Sequence, residues 1–258
     1  MELGLAGRKV IVTGASKGIG RATAEVFANE GADLVLAARS GGPLTETTRD
    51  LAATTGRRVE PFTADLSRDD ERQRLFDAHG DADILVNNAG AIPAGDLANV
   101  SMEDWRAGWE LKVWGYIHLC KLFVPAMSAR RQGTVVNIIG MGGRAVSPGY
   151  IAGASGNAAL IGFTNALGAQ TPASNVRVFG INPSPTLTDR IVTMSRRRAE
   201  IAFGDPERWQ ETLDEQGMPF GRLKRPEEVG ALAAMLCAPQ VHYLSGTVID
   251  MDGGGQWT

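Results

Sequence analysis

The residues with the plainest chemical purpose are Thr13-Gly14-Ala15-Ser16-Lys17-Gly18-Ile19-Gly20. They follow an apolar run, Val10-Ile11-Val12, short enough for a buried strand, and open into residues 21–28, whose apolar spacing is helical. A strand, a glycine turn and a helix in that order make a dinucleotide site. Gly14, Gly18 and Gly20 let the backbone turn sharply and approach a pyrophosphate, which rests on free N–H groups at the helix N-terminus. Ser16, Lys17 and Ile19 complete that turn. The residue at the end of the next strand selects the cofactor. A site for the unphosphorylated dinucleotide carries an acidic residue there, about twenty residues beyond the glycines, to accept from a ribose hydroxyl. Here the chain reads Ala38-Arg39-Ser40, and Asp33 sits at the wrong end of the strand. Arg39 can clamp a 2′-phosphate bidentately, and Lys17 adds a second positive charge. The pattern predicts NADP(H) in preference to NAD(H).

Strand and helix patterns alternate along the chain, as a parallel sheet with helices on both faces requires. Strands are predicted at 33–38, 58–63, 84–86, 134–139, 176–181 and 246–250, after the first at 10–12. Helices are predicted at about 44–54, 68–78, 101–130 with Ser101 as N-cap, and 150–169. The fold class predicted is α/β, a Rossmann-type doubly wound sheet of seven parallel strands. Residues 1–258 form one domain in this reading, since no proline- or serine-rich linker divides them. Residues 184–221 break the rhythm and carry Arg190 and the run Arg196-Arg197-Arg198. An insertion after strand six overhangs the carboxyl ends of the strands, where ligands bind, so it reads as a substrate lid. The arginine run reads as the solvated face of a lid helix, with an acidic substrate as the alternative.

Composition narrows the classes further. Hydrophobic residues make up 43% of the chain, enough for a substantial core, and the formal net charge of −3 gives no reason to expect nucleic acid. The two cysteines, Cys120 and Cys237, fall in apolar helical patterns and read as buried thiols, so no metal site is predicted. The first strand follows directly on the N-terminus, leaving no room for a signal peptide, and no apolar run reaches the roughly 18 residues of a membrane span. The expected setting is cytoplasmic, with a small-molecule substrate and no membrane partner.

The glycine motif followed by Asn87-Asn88-Ala89-Gly90, with Leu244-Ser245-Gly246-Thr247-Val248-Ile249-Asp250-Met251-Asp252-Gly253-Gly254 near the end, resembles the short-chain dehydrogenase/reductase family along nearly the whole chain. The resemblance implies that Asp65 and Leu66 read the adenine and that Asn88, Ala89 and Gly90 lie over the adenine ribose. It implies that Pro183 sits at the nicotinamide, with Ser184 replacing a glycine, and that Thr188 bonds the carboxamide. It also implies a homo-oligomer, a tetramer or a dimer.

The family's reaction uses a serine after strand five, a Tyr-x-x-x-Lys pair and an asparagine in the preceding long helix. By the resemblance these positions fall on Gly140, Gly153, Asn157 and Lys112, so all four are replaced. No Tyr-x-x-x-Lys exists at Tyr116, Tyr150 or Tyr243. Positioned acid–base groups contribute about 10²–10⁴-fold in rate, so the loss is large. Two residues could stand in. Tyr150 lies seven positions before Asn157, the spacing of tyrosine and lysine in the enoyl-thioester reductase branch, where the phenol protonates an enolate oxygen. Lys112 could send its ammonium into the space the missing lysine vacates. Both should then lie at the nicotinamide end of the cleft. The leading expectation is an NADP-dependent oxidoreductase with an atypical site, acting on a small organic substrate through Tyr150, Lys112 and Asn157. The alternatives are a catalytically silent NADP-binding relative, serving as sensor or partner subunit, and a non-redox enzyme reusing the pocket.

Overall fold

The computed structural model describes residues 2–213 and 218–257, apart from the side chains of Met194, Arg197, Arg198, Ile201 and Trp257. Two features of the sequence reading therefore lie partly outside the described residues. They are 214–217 of the 184–221 segment and two side chains of the arginine run. Arg196, the third, pairs with Glu207 at 3.2 Å.

The strands are β1 (Lys9–Thr13), β2 (Asp33–Ala38), β3 (Val59–Thr63), β4 (Ile84–Asn87), β5 (Gly133–Ile138), β6 (Val176–Pro183) and β7 (Thr247–Met251). They form one parallel sheet in the order β3-β2-β1-β4-β5-β6-β7. This is the doubly wound arrangement predicted from the alternating pattern. The strand order reverses between β1 and β4, and a crevice opens there at the carboxyl ends.

The helices are α1 (Gly18–Asn29), α2 (Gly41–Thr55), α3 (Asp69–His79), α4 (Met102–Trp109), α5 (Gly115–Arg130), α6 (Ile151–Gln170), α7 (Asp189–Phe203) and α8 (Pro226–Cys237). Both sheet faces are covered, which is why the strands read as continuous apolar runs and not as alternation. Val10, Val12, Leu34 and Leu36 pack with Phe27 of α1 and Val229 of α8. Ile11, Val35, Leu85 and Val135 face the other way, onto Leu75 of α3 and Phe123 of α5. Among the described residues, no helix is long and apolar enough to cross a membrane.

The predicted helix at 101–130 is interrupted. Ser101 caps α4 as expected, its Oγ accepting from the Asp104 N–H at 3.0 Å. Between α4 and α5, however, Glu110–Trp114 forms a π-helical segment. One inserted residue per turn leaves no trace in an apolar pattern, and such segments collect at functional sites. Arg72 of α3, 1% exposed, lies beneath it. Its Nη1 donates to Glu110 O at 3.1 Å and to Leu66 O at 3.0 Å, and its Nη2 to Glu110 Oε1 at 2.9 Å and to Asp69. One guanidinium thus braces both the π segment and the loop after β3.

Candidate functional site

A cavity of about 660 Å³ lies along the carboxyl ends of the strands. Its floor is the glycine turn. Gly14 has φ +66°, and a Cβ there would come 2.9 Å from Ala89 Cα. At Gly20 a Cβ would come 2.3 Å from Gly14 O. Only glycine allows the turn to close on itself this tightly. Thr13 and Asn88 lock it from below. The Asn88 and Ala89 N–H groups donate to Thr13 Oγ1 at 2.8 and 3.0 Å, and Asn88 Nδ2 donates to Thr13 O at 2.9 Å. The Asn88 side chain is therefore spent on the turn itself.

Of the site residues read from the sequence, Gly14, Ser16, Lys17, Gly18 and Ile19 line the cavity, as do Arg39, Asp65, Leu66, Asn88, Ala89, Gly90, Pro183 and Thr188. Gly20 is buried behind them, acting through the turn. Lys17 and Arg39 are exposed, and neither makes an ion pair within 4 Å among the described residues. Burial pushes the Asp65 carboxyl up, but hydrogen bonds from Ser67 and the nearby Arg39 charge hold it below its ordinary value. Thr188, the N-cap of α7, comes close to the glycine turn: a Cβ at Gly18 would lie 3.4 Å from its Cγ2.

Lys112, Tyr150 and Asn157 line the same cavity, beyond Gly90. The Lys112 stem crosses Gly90 so closely that a Cβ there would meet Lys112 Cδ at 2.9 Å. Its Nζ donates to Ile139 O at 2.5 Å. Lys112 is half-buried, partly facing the cavity and partly enclosed by protein. This burial, helped by the Arg190 charge, pushes its pKa down to about 7. Arg190, from the first turn of α7, donates through Nη2 to Ile92 O at 2.9 Å and so bridges the cleft.

Tyr150 precedes α6. The Gly95 N–H donates to Gly149 O at 2.8 Å and Gly95 O accepts from the Ile151 N–H at 3.3 Å, fixing the tyrosine beside the loop after β4. Its side chain packs against the cluster of Ile92, Val100 and Ala152, as do those of Trp105 and Trp109. Among the described residues its hydroxyl has no hydrogen-bond partner, and none joins it to Lys112. The side chain of Asn157, 2% exposed, turns back towards β5. Its Nδ2 donates to Gly140 O at 3.3 Å, and its Oδ1 is buried without a partner. On the other side Asn182 Oδ1 accepts from the Gly140 N–H at 3.3 Å. Gly140, at φ +128°, is thus held by two amide side chains.

Sequence reasoning missed the hold of Asn182 on the Gly140 N–H, the place of Ile92 and the cavity-facing role of Arg190. The arginine was visible only as one cation in a long insertion, and the other two carry no chemical signature of their own.

Comparison with known proteins places this geometry. The family profile described as enoyl-(acyl carrier protein) reductase matches residues 14–256. The 3-oxoacyl-(acyl-carrier-protein) reductase FabG of Chlamydia muridarum is 30% identical over 254 residues, covering 97% of this chain and 98% of its own. Oxidoreductase UcpA of Escherichia coli K12 is 33% identical, with 97% and 95% covered. Among solved structures, L-sorbose reductase from Gluconobacter frateurii complexed with NADPH and L-sorbose superposes with a TM-score of 0.93 at 30% identity, over 100% of both chains. A 3-oxoacyl (acyl-carrier-protein) reductase from Agrobacterium tumefaciens C58 with NADP bound gives 0.87 at 28% identity, over 98% and 95%. The chain belongs to the short-chain dehydrogenase/reductase family.

Proposed function

We propose that this chain is an NADP(H)-dependent oxidoreductase whose proton chemistry rests on Lys112 and Tyr150 in place of the family's serine, tyrosine and lysine. The observation that carries the reading is that these two side chains line the same cavity as Lys17 and Arg39. The residues present fit the cofactor. The glycine turn leaves backbone N–H groups open where a Cβ would otherwise intrude, and Arg39 and Lys17 are free to take a 2′-phosphate. Asp65 and Leu66 would take the adenine, and Pro183 and Thr188 the nicotinamide. The NADPH and NADP complexes of the two solved relatives support this choice.

Bound there, the cofactor supplies or accepts a hydride at the nicotinamide. The chain's own residues manage the proton and the charge. With a pKa of about 7, Lys112 can give a proton to a substrate oxygen, or take one back, at neutral pH. The uncommitted Tyr150 hydroxyl can hold that oxygen in place. Asn157 serves by fixing the Gly140 carbonyl that walls this end. Residues 184–213, with α7 over the cleft, form the lid side of the site.

A second reading, a silent NADP-binding relative, is favoured by Asn157, whose amide is committed to Gly140 O. Cofactor titration followed by a screen of carbonyl compounds for NADPH oxidation separates the two. Turnover that falls in Lys112→Met and Tyr150→Phe supports the enzyme. Tight NADPH binding with no turnover on any carbonyl supports the silent binder.

A further inference from the structure

Most surface guanidiniums of this chain are matched to carboxylates, as in Arg21–Asp50, Arg208–Glu211 and Arg222–Glu228. The buried Arg177 lacks a carboxylate but spends its donors on Cys237 O, Val241 O and Thr134 Oγ1. In the cavity wall two guanidiniums differ. Arg39 lies at the adenine end, where a 2′-phosphate accounts for it. Arg190 lies at the other end and has no such explanation.

Only one bond from Arg190 is made among the described residues, Nη2 to Ile92 O at 2.9 Å. A guanidinium has five N–H donors, so most remain uncommitted. Its neighbour Asp189 makes no ion pair with it among the described residues, and no carboxylate there lies within 4 Å of Lys112 either. Both line the cavity, Lys112 from the π segment and Arg190 from α7. The Arg190 charge makes an ammonium at Lys112 more costly. Arg190 is exposed and Lys112 half-buried, and two cations lining one cavity without a carboxylate partner attract an anion.

We infer that the substrate is a carbonyl compound bearing a carboxylate, which Arg190 binds beside the oxygen addressed by Lys112. This rests on the oxidoreductase reading above. A planar carboxylate suits the guanidinium fork, and its negative charge would settle between the two cations. Fixing that end of the substrate would also set its carbonyl towards the nicotinamide.

The test uses the NADP⁺-saturated protein and oxamate, a carboxylate next to an unreducible carbonyl, with neutral oxamide as its partner probe. Calorimetry should show oxamate binding to the wild type, weaker by about ten- to hundredfold in Arg190→Ala and intermediate in Arg190→Lys. Oxamide should not bind, and NADP⁺ affinity should be unchanged in both variants, which also reports that they are folded. The inference is overturned by no oxamate binding to the wild type, by binding indifferent to Arg190, by equal binding of oxamide, or by a parallel fall in NADP⁺ affinity. That last result would give Arg190 to the cofactor. NADPH oxidation with oxo acids and with their methyl esters separates this inference from the reading beneath it. Turnover without preference for the acids removes the carboxylate site and leaves the oxidoreductase. Arg190-dependent oxamate binding without turnover on any carbonyl leaves the site and removes the oxidoreductase.

Discussion

The ring of Tyr150 fills the space into which a side chain at Gly153 would grow. A Cβ there would lie 2.0 Å from Tyr150 Cζ and 2.1 Å from Cε1. The two positions therefore exclude one another, and Tyr150 is compatible only with glycine one turn later. Its phenol also sits closer to α6 than a tyrosine rooted at 153 would place its own. Gly153→Tyr alone should cost about 1–3 kcal/mol by overpacking, and Tyr150→Ala in the same chain should recover most of it. Urea unfolding of the two single variants and the double variant checks this. Strictly additive losses would mean that the two side chains do not compete.

Gly140 behaves differently. Its φ of +128° suits glycine, and a Cβ would lie 3.1 Å from Asn157 Nδ2. Gly140→Ser puts a strained backbone against a buried amide, with an expected loss of about 1–3 kcal/mol. Adding Asn157→Lys removes the amide but not the strain, so the pair should stay below the wild type in thermal midpoint. A serine tolerated without loss would show that this loop relaxes freely.

These two contacts mark where the sequence stopped being legible. The glycine turn, the place of Arg39 just after β2 and the seven strands could be read because each depends on residues adjacent in the chain. The strand boundaries were off by a residue or two, with β6 running on to Pro183. Tyr150 against Gly153 is a tertiary matter, since the side chain at 150 lies outside the helical pattern that begins at Ile151. The π segment was hidden for a related reason. Its cause, in part, is Arg72, a residue on another helix whose donors satisfy the Leu66 and Glu110 carbonyls. From the sequence alone Arg72 was one more cation on a polar-faced helix.

Arg39 gives the plainest test of cofactor choice. It is exposed in the cavity wall with no ion pair within 4 Å among the described residues, so its removal disturbs no packing. Arg39→Ala should weaken NADPH by about ten- to hundredfold while leaving NADH nearly unchanged. Fluorescence titration with both cofactors reads the ratio. An equal loss for both would place Arg39 on a part of the dinucleotide they share.

Lys112 should reveal itself in the pH dependence of stability. Burial, with the Arg190 charge behind it, holds its pKa at about 7, against about 10.4 in an unfolded chain. Below pH 7 both states carry the proton, and the folded state bears the full cost of enclosing an ammonium. Between about pH 7 and pH 10 the unfolded chain still holds a proton that the folded chain has released. Stability contributed at this position therefore rises with pH through that window. Lys112→Met keeps the stem across Gly90 and removes the titration. The variant should be more stable than the wild type at about pH 6, by an amount on the order of a few kcal/mol, and the advantage should shrink steadily towards about pH 9. Urea midpoints at the two ends of the range measure it. A difference that does not change with pH would mean that Lys112 titrates as an ordinary lysine, and would remove it as a proton donor at neutral pH.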